Sequence, residues 1–121
     1  MATVRYIVNS VEESVDFYTT LLGFSVTEQW GPAMAIVTRG ALSLWLAGPR
    51  ASAARPMPDG RQPQPGGWAR IVIETEDIDS TAQALREAGA RFRNDIISGP
   101  GGKQVIVDDP SGNAIELFQP A

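Results

Sequence analysis

The stretch Val8-Asn9-Ser10-Val11-Glu12-Glu13-Ser14-Val15-Asp16-Phe17-Tyr18, running on to Leu22-Gly23-Phe24, decides how the rest of the chain is read. Ser10 followed three residues later by Glu13 is a capping box. The serine hydroxyl accepts from the third helical amide, and the glutamate can reach back to the serine's own amide. Val11, Val15, Tyr18 and Leu22 recur at helical spacing, and Gly23 is a natural left-handed stop. Just before the cap, residues 4–8 (VRYIV) are β-branched and aromatic and read as a strand. After it, residues 24–30, 34–38 and 41–47 read as three short strands, punctuated by Gly31-Pro32 and Arg39-Gly40. The order is βαβββ.

That order returns further along. Residues 68–75 (WARIVIET) read as a strand, and Asp77 caps a helix through Ile78, Ala82 and Leu85 that stops at Gly89. Residues 91–95, 104–108 and 114–118 are the next strands, the last two joined by the turn Asp109-Pro110-Ser111-Gly112-Asn113. Between the two units, residues 49–67 hold Pro49, Pro56, Pro58, Pro63 and Pro65 without periodicity, the signature of an irregular, partly extended connector. The expected fold is therefore α+β. It is a single domain over 1–121, with module one at 1–48, a proline-rich connector at 49–67 and module two at 68–121. In each module one helix covers one face of a four-stranded mixed sheet. The repeat implies that the other faces curve towards each other and form a cleft.

Composition narrows the chemistry. The 121 residues include no cysteine and no histidine. Disulfides, thiolate nucleophiles, sulfur and imidazole metal ligands, and Ser–His–Asp or Cys–His catalysis are all excluded. A net charge of −4 argues against a nucleic-acid partner. No apolar run approaches a membrane span, and the start MATVRYIVNSVEE lacks a basic region leading into a long apolar one. The location expected on these grounds is cytoplasmic.

The first quoted stretch resembles the opening of vicinal-oxygen-chelate proteins, a superfamily that includes glyoxalase I, extradiol dioxygenases, and fosfomycin- and bleomycin-resistance proteins. Asp109-Pro110-Ser111-Gly112-Asn113-Ala114-Ile115-Glu116-Leu117 is similar to the family's closing DPxGNxIEL hairpin. The resemblance covers nearly the whole chain apart from the connector. It implies the two-module cleft. In metal-dependent members it also implies a divalent ion held by side chains from the first and last strands of each unit. Carried over one at a time, those positions fall on Thr3, on Ser43 (or Trp45 if the register slips by two), on Arg70 and on Glu116. One carboxylate facing an arginine is not a metal site, so no metal and no cofactor are expected. Family members commonly pair sheet edges or exchange units, which implies a homodimer.

Strand alternation supplies the candidate site. Leu42, Leu44 and Leu46 face the helix, which turns Ser43 and Trp45 to the cleft. The same parity places Thr3, Arg5 and Ile7 there from the first strand, Trp68, Arg70 and Val72 from the fifth, and Ala114, Glu116 and Phe118 from the last. The candidate ligand-binding residues are Arg5, Trp30, Ser43, Trp45, Trp68, Arg70, Glu116 and Phe118, with no catalytic residue assigned. Each has a plainer role beside the functional one. Trp45 either stacks on ligand or fills the core, and Trp68 either contacts ligand or plugs a sheet edge. Trp30 is a pocket wall, a packing residue or a dimer contact. Arg70 and Glu116 either hold ligand or close an old metal site as an ion pair, and Arg5 can extend to solvent. Asp108 and Asp109 belong to a turn, and Gly99-Pro100-Gly101-Gly102-Lys103 reads as a flexible loop rather than a phosphate cradle.

The expected function is metal-independent binding of an aromatic or conjugated small molecule, with sequestration of an antibiotic as its use. The family's metal-free drug-sequestering members have a similar lining. Two alternatives stand beside it: a metal-independent isomerase, cyclase or lyase using Glu116 or Tyr6 as acid/base, and an accessory subunit with an atrophied cleft.

Overall fold

Ser10 caps its helix as the sequence requires. Its hydroxyl accepts from the Glu13 amide at 3.2 Å, while Gly23, at φ 72°, lets the Phe24 amide turn back onto the Tyr18 carbonyl. The computed structural model describes residues 1–121, which divide into two compact units, Met1–Gly66 and Gly67–Ala121.

In the first unit β1 (Ala2–Ile7) is followed by α1 (Val11–Leu21), β2 (Ser25–Trp30), β3 (Met34–Arg39) and β4 (Leu42–Ala47). The sheet order is β1-β4-β3-β2, with β1 parallel to β4 and the other pairs antiparallel. Helix α1 packs on β2, β3 and β4. Its contribution to the core is Val11, Phe17 and Tyr18, set against Leu44, Leu46, Ala35 and Val37 from the sheet. Tyr18 is fully buried and meets Phe17 and Phe24 edge-to-face at 5.3 and 5.4 Å. Such pairs add to simple area burial. The connector is irregular apart from a single 3₁₀ turn at Ser52–Ala54 and buries Ala51.

The second unit repeats the plan with β5 (Ile71–Glu74), α2 (Ile78–Glu87), β6 (Ile97–Gly99), β7 (Gly102–Asp108) and β8 (Ala114–Pro120), in sheet order β5-β8-β7-β6. Asp77 caps α2 through the Ser80 amide at 3.1 Å. The first helical amide, Ile78, donates to the Gln119 side chain at 2.8 Å, which ties the helix start to the end of β8. Ile78, Ala82 and Leu85 are fully buried, as are Val105, Ile115 and Leu117 of the sheet.

Three sequence expectations need correction. Residues 91–95 are not a strand: only Phe92 bridges to Val107. The Asn94 side chain captures the Ile106 amide at 2.9 Å, replacing a backbone partner and ending the ladder. The strand forms instead at β6, so the expected flexible loop is a hairpin around Pro100-Gly101. The fifth strand begins at Ile71 rather than at 68, because the carbonyls of Gly67 and Trp68 are taken by the guanidinium groups of Arg93 and Arg70.

The hairpin depends on Gly102. It has φ 143°, and a Cβ there would run into the Gln119 carbonyl. Gly102→Ala should lower stability by about 2–3 kcal/mol in a urea titration, whereas Gly101→Ala, facing open space, should stay within about 0.5 kcal/mol.

Candidate functional site

A four-stranded sheet has two faces, and each unit has one helix to cover them. On the face of the first sheet away from α1, β1 and β4 run side by side in register, so Thr3 lies opposite Ser43 and Arg5 opposite Trp45. The Arg5 guanidinium sits over the Trp45 ring, 5.0 Å from its centroid. The indole N–H donates to the Ser43 hydroxyl at 3.2 Å. Ser43 is buried, so its role is to fix the angle of the indole. Trp45 is half-buried: one side is held by the arginine and the sheet, leaving part of the ring accessible. Across β3, Ile36 lies opposite Trp45. A register shift between Val26 and Glu28 in β2 then sets Trp30 opposite Met34, which itself pairs with Ala47. Trp30 therefore shares the Trp45 face, at the far edge of the sheet, and is 51% exposed. The resulting face carries Ile7, Met34, Ile36 and two indoles, with Arg5 over Trp45 and the exposed Glu28 opposite Ile36.

Tyr6, by contrast, alternates onto the other side. It lies opposite Leu46 and is buried in the core beneath α1. That location removes it from the acid/base role expected of it.

In the second unit the helix-free face carries Glu116 opposite both Val72 and Ile106, and Phe118 opposite both Glu74 and Gln104. Arg70, just before β5, places Nε at 3.0 Å and Nη2 at 2.9 Å from the same oxygen of Glu116, Oε1. Its Nη1 donates to the Trp68 carbonyl at 3.2 Å. The Glu116 side chain is 11% exposed and that of Arg70 31%. Arg70 and Glu116 therefore form a partly buried ion pair. Val72 is exposed, and Ile106 and Phe118 are half-buried, so the pair has apolar neighbours, with exposed Glu74 and Gln104 further along the same face.

Trp68 is not on this face. It lies ahead of β5, 69% exposed, with its ring against the Arg93 guanidinium at 4.7 Å. Arg93 was not singled out in the sequence, where it looks like any surface arginine. In the structure it binds Asp108 at 2.6 Å, the Gly67 carbonyl at 2.7 Å and the Gly112 carbonyl at 3.0 Å. It thus pins the start of the second unit to the turn before β8. Asp108 is engaged by this arginine. Asp109 instead organises the turn, accepting from the amides of Ser111 and Asn113 at 2.8 and 2.9 Å.

Two βαβββ modules, each with a helix on one sheet face only, define the vicinal-oxygen-chelate fold. The chain belongs to the Glyoxalase/Bleomycin resistance protein/Dioxygenase superfamily, whose family model matches residues 1–117. Among solved structures, it is similar to a member of that superfamily from Sphaerobacter thermophilus. The identity is 29%, with 98% of this chain and 95% of the other covered at a TM-score of 0.77. It is also similar to TnmS3, an antibiotic-binding protein from Streptomyces sp. CB03234, at 27% identity, 98% and 93% coverage and a TM-score of 0.73. A lactoylglutathione lyase from Agrobacterium tumefaciens shares the fold at 15% identity, 98% and 92% coverage and a TM-score of 0.77. No curated protein matches the sequence.

The superfamily's metal-dependent members make a divalent ion the group to test against these residues. The donor set does not fit one. The Ser43 hydroxyl accepts from an indole, the Glu116 carboxylate is bonded by Arg70, and Thr3 adds only a neutral hydroxyl. No three His, Cys, Asp or Glu side chains converge at metal-binding distance. Elemental analysis of the purified protein should therefore find Zn, Fe, Ni and Mn well below one ion per chain. One chelator-removable ion per chain would overturn this.

Proposed function

We propose that this protein is a metal-independent binder of aromatic or conjugated small molecules, and that its use is to sequester an antibiotic or similar natural product. The observation that carries this reading is Trp45. Its indole is oriented by Ser43, backed by Arg5 and set in an apolar sheet face that no helix covers. A rigid, half-exposed indole offers a flat contact at little conformational cost. The likeness to the antibiotic-binding TnmS3 supports the same reading. In this proposal Arg5, Trp30 and Trp45 of the first unit contact the ligand and Ser43 positions Trp45; within the second unit, Phe118 and the Arg70–Glu116 pair form a further candidate contact surface. Trp68 supplies an outer aromatic surface. Catalysis by Glu116 is disfavoured because its carboxylate is held by Arg70.

Screening aromatic antibiotics for quenching of tryptophan fluorescence should find a ligand. Trp45→Ala should then weaken that ligand ten- to hundredfold, about 1–3 kcal/mol, at nearly unchanged stability. Arg70→Ala should chiefly lower stability, by about 1–2 kcal/mol. It leaves Glu116 unpaired, but the arginine is partly solvated and part of the pair's strength is already screened. A broad screen without a ligand, together with a Trp45→Ala variant that loses only stability, would end this reading.

We further propose a twofold homodimer. All six residues of β2 are exposed along a sheet edge, Val26 and Trp30 among them, and such an edge calls for a partner or a cover. Light scattering at micromolar concentration should give twice the 13.0 kDa chain mass. A monomer mass would remove the proposal.

A further inference from the structure

The Arg70–Glu116 pair is asymmetric in a way that a purely structural ion pair need not be. A guanidinium facing a carboxylate ordinarily forms two parallel bonds, one to each oxygen. Here both Nε and Nη2 aim at Oε1, and the third nitrogen, Nη1, turns away to the Trp68 carbonyl. Glu116 Oε2 is left open. No buried side-chain polar atom in the structure lacks a partner, so this oxygen, which accepts none of the pair's bonds, is reached from the surface. Glu116 lies on the helix-free sheet face, where its neighbour Val72 is 51% exposed and Ile106 and Phe118 are half-buried.

An acceptor carrying negative charge, held by an arginine and flanked across the sheet by Val72 and Ile106, is a selective feature. It is satisfied by a hydrogen-bond donor on an otherwise apolar molecule. It penalises an acceptor, which would be desolvated against a carboxylate oxygen. Resting on the binding reading above, we propose that Glu116 Oε2 is a ligand anchor. It selects aromatic ligands that carry a hydroxyl donor, which lie on Val72, Ile106 and Phe118 with that hydroxyl on Oε2. Arg70 is the positioning residue: by holding Oε1 it fixes which oxygen faces the ligand.

The same geometry dictates the test. In Glu116→Gln, Arg70 still demands an oxygen at the Oε1 position, so the amide nitrogen must stand where Oε2 stood. The substitution keeps the shape and turns an acceptor into a donor. Three probes of similar size separate the outcomes: beta-naphthol as donor, beta-fluoronaphthalene with no donor, and menadione with acceptors only. Binding is followed by amide chemical shifts, whose spectrum also reports that the variant is folded. Wild-type protein should prefer beta-naphthol over both other probes by about tenfold or more, with shifts centred on Val72, Ile106 and Phe118. E116Q should reduce the naphthol-to-menadione ratio by about tenfold or more.

Equal binding of all three probes by the wild type would overturn the anchor while leaving aromatic binding in place. A ratio unchanged in folded E116Q would do the same. Shifts confined to Trp45, with none at Val72, Ile106 and Phe118, would overturn the anchor while leaving aromatic binding in place. Absence of any shift with all three probes would overturn both the anchor and the binding reading.

Discussion

A single helix cannot cover both faces of a four-stranded sheet, and most of the chemistry available to this protein follows from that limit. In each module the helix buries every second side chain of the strands, and the intervening residues are left on a face with no helix of its own. Along β4 this puts Leu44 and Leu46 in the core and Ser43 and Trp45 opposite. Along β8 it puts Ile115 and Leu117 in the core and Glu116 and Phe118 opposite. The core residues secure folding. The alternate set is not needed for that core, so its chemistry is set separately from the fold.

Arginine gives the variable face its order. Arg5 holds one side of the Trp45 indole, Arg70 holds one oxygen of Glu116, and Arg93 holds Asp108, two backbone carbonyls and the ring of Trp68. In each case a planar, permanently charged group is matched to a planar partner, which a lysine would not reproduce. With histidine and cysteine absent, these contacts rigidify surface side chains that would otherwise sample many rotamers. A rigid aromatic or carboxylate surface loses less entropy when it meets a ligand.

Much of this was legible in the sequence because it is local. The Ser10 and Asp77 caps, the stops at Gly23 and Gly89, the Asp109–Asn113 turn and the alternation of β4 each depend on a few neighbouring residues, and all appear in the structure. What escaped was set by partners distant in the chain. Residues 91–95 have good strand composition, yet the Asn94 side chain takes the Ile106 amide and ends the ladder. Trp68 fits the parity of a strand that does not reach it, because Arg93, 25 positions on, claims the carbonyl of Gly67. Tyr6, a chemically plausible acid/base, alternates onto the face it shares with Leu46 and is buried in the core.

The arginine at position 70 shows how a small change in residue type redirects such a face. A metal-ligating side chain here would leave Glu116 as one donor among several around a cation, with its lone pairs directed at the ion. The guanidinium supplies its positive charge from within the chain and uses only Oε1. The carboxylate therefore stays in place, on a strand position flanked by Val72 and Ile106. Removing the arginine would leave a largely buried carboxylate without its partner, a cost moderated by the arginine's own partial solvation. That coupling stabilises the sheet and fixes the polarity of the face through one interaction.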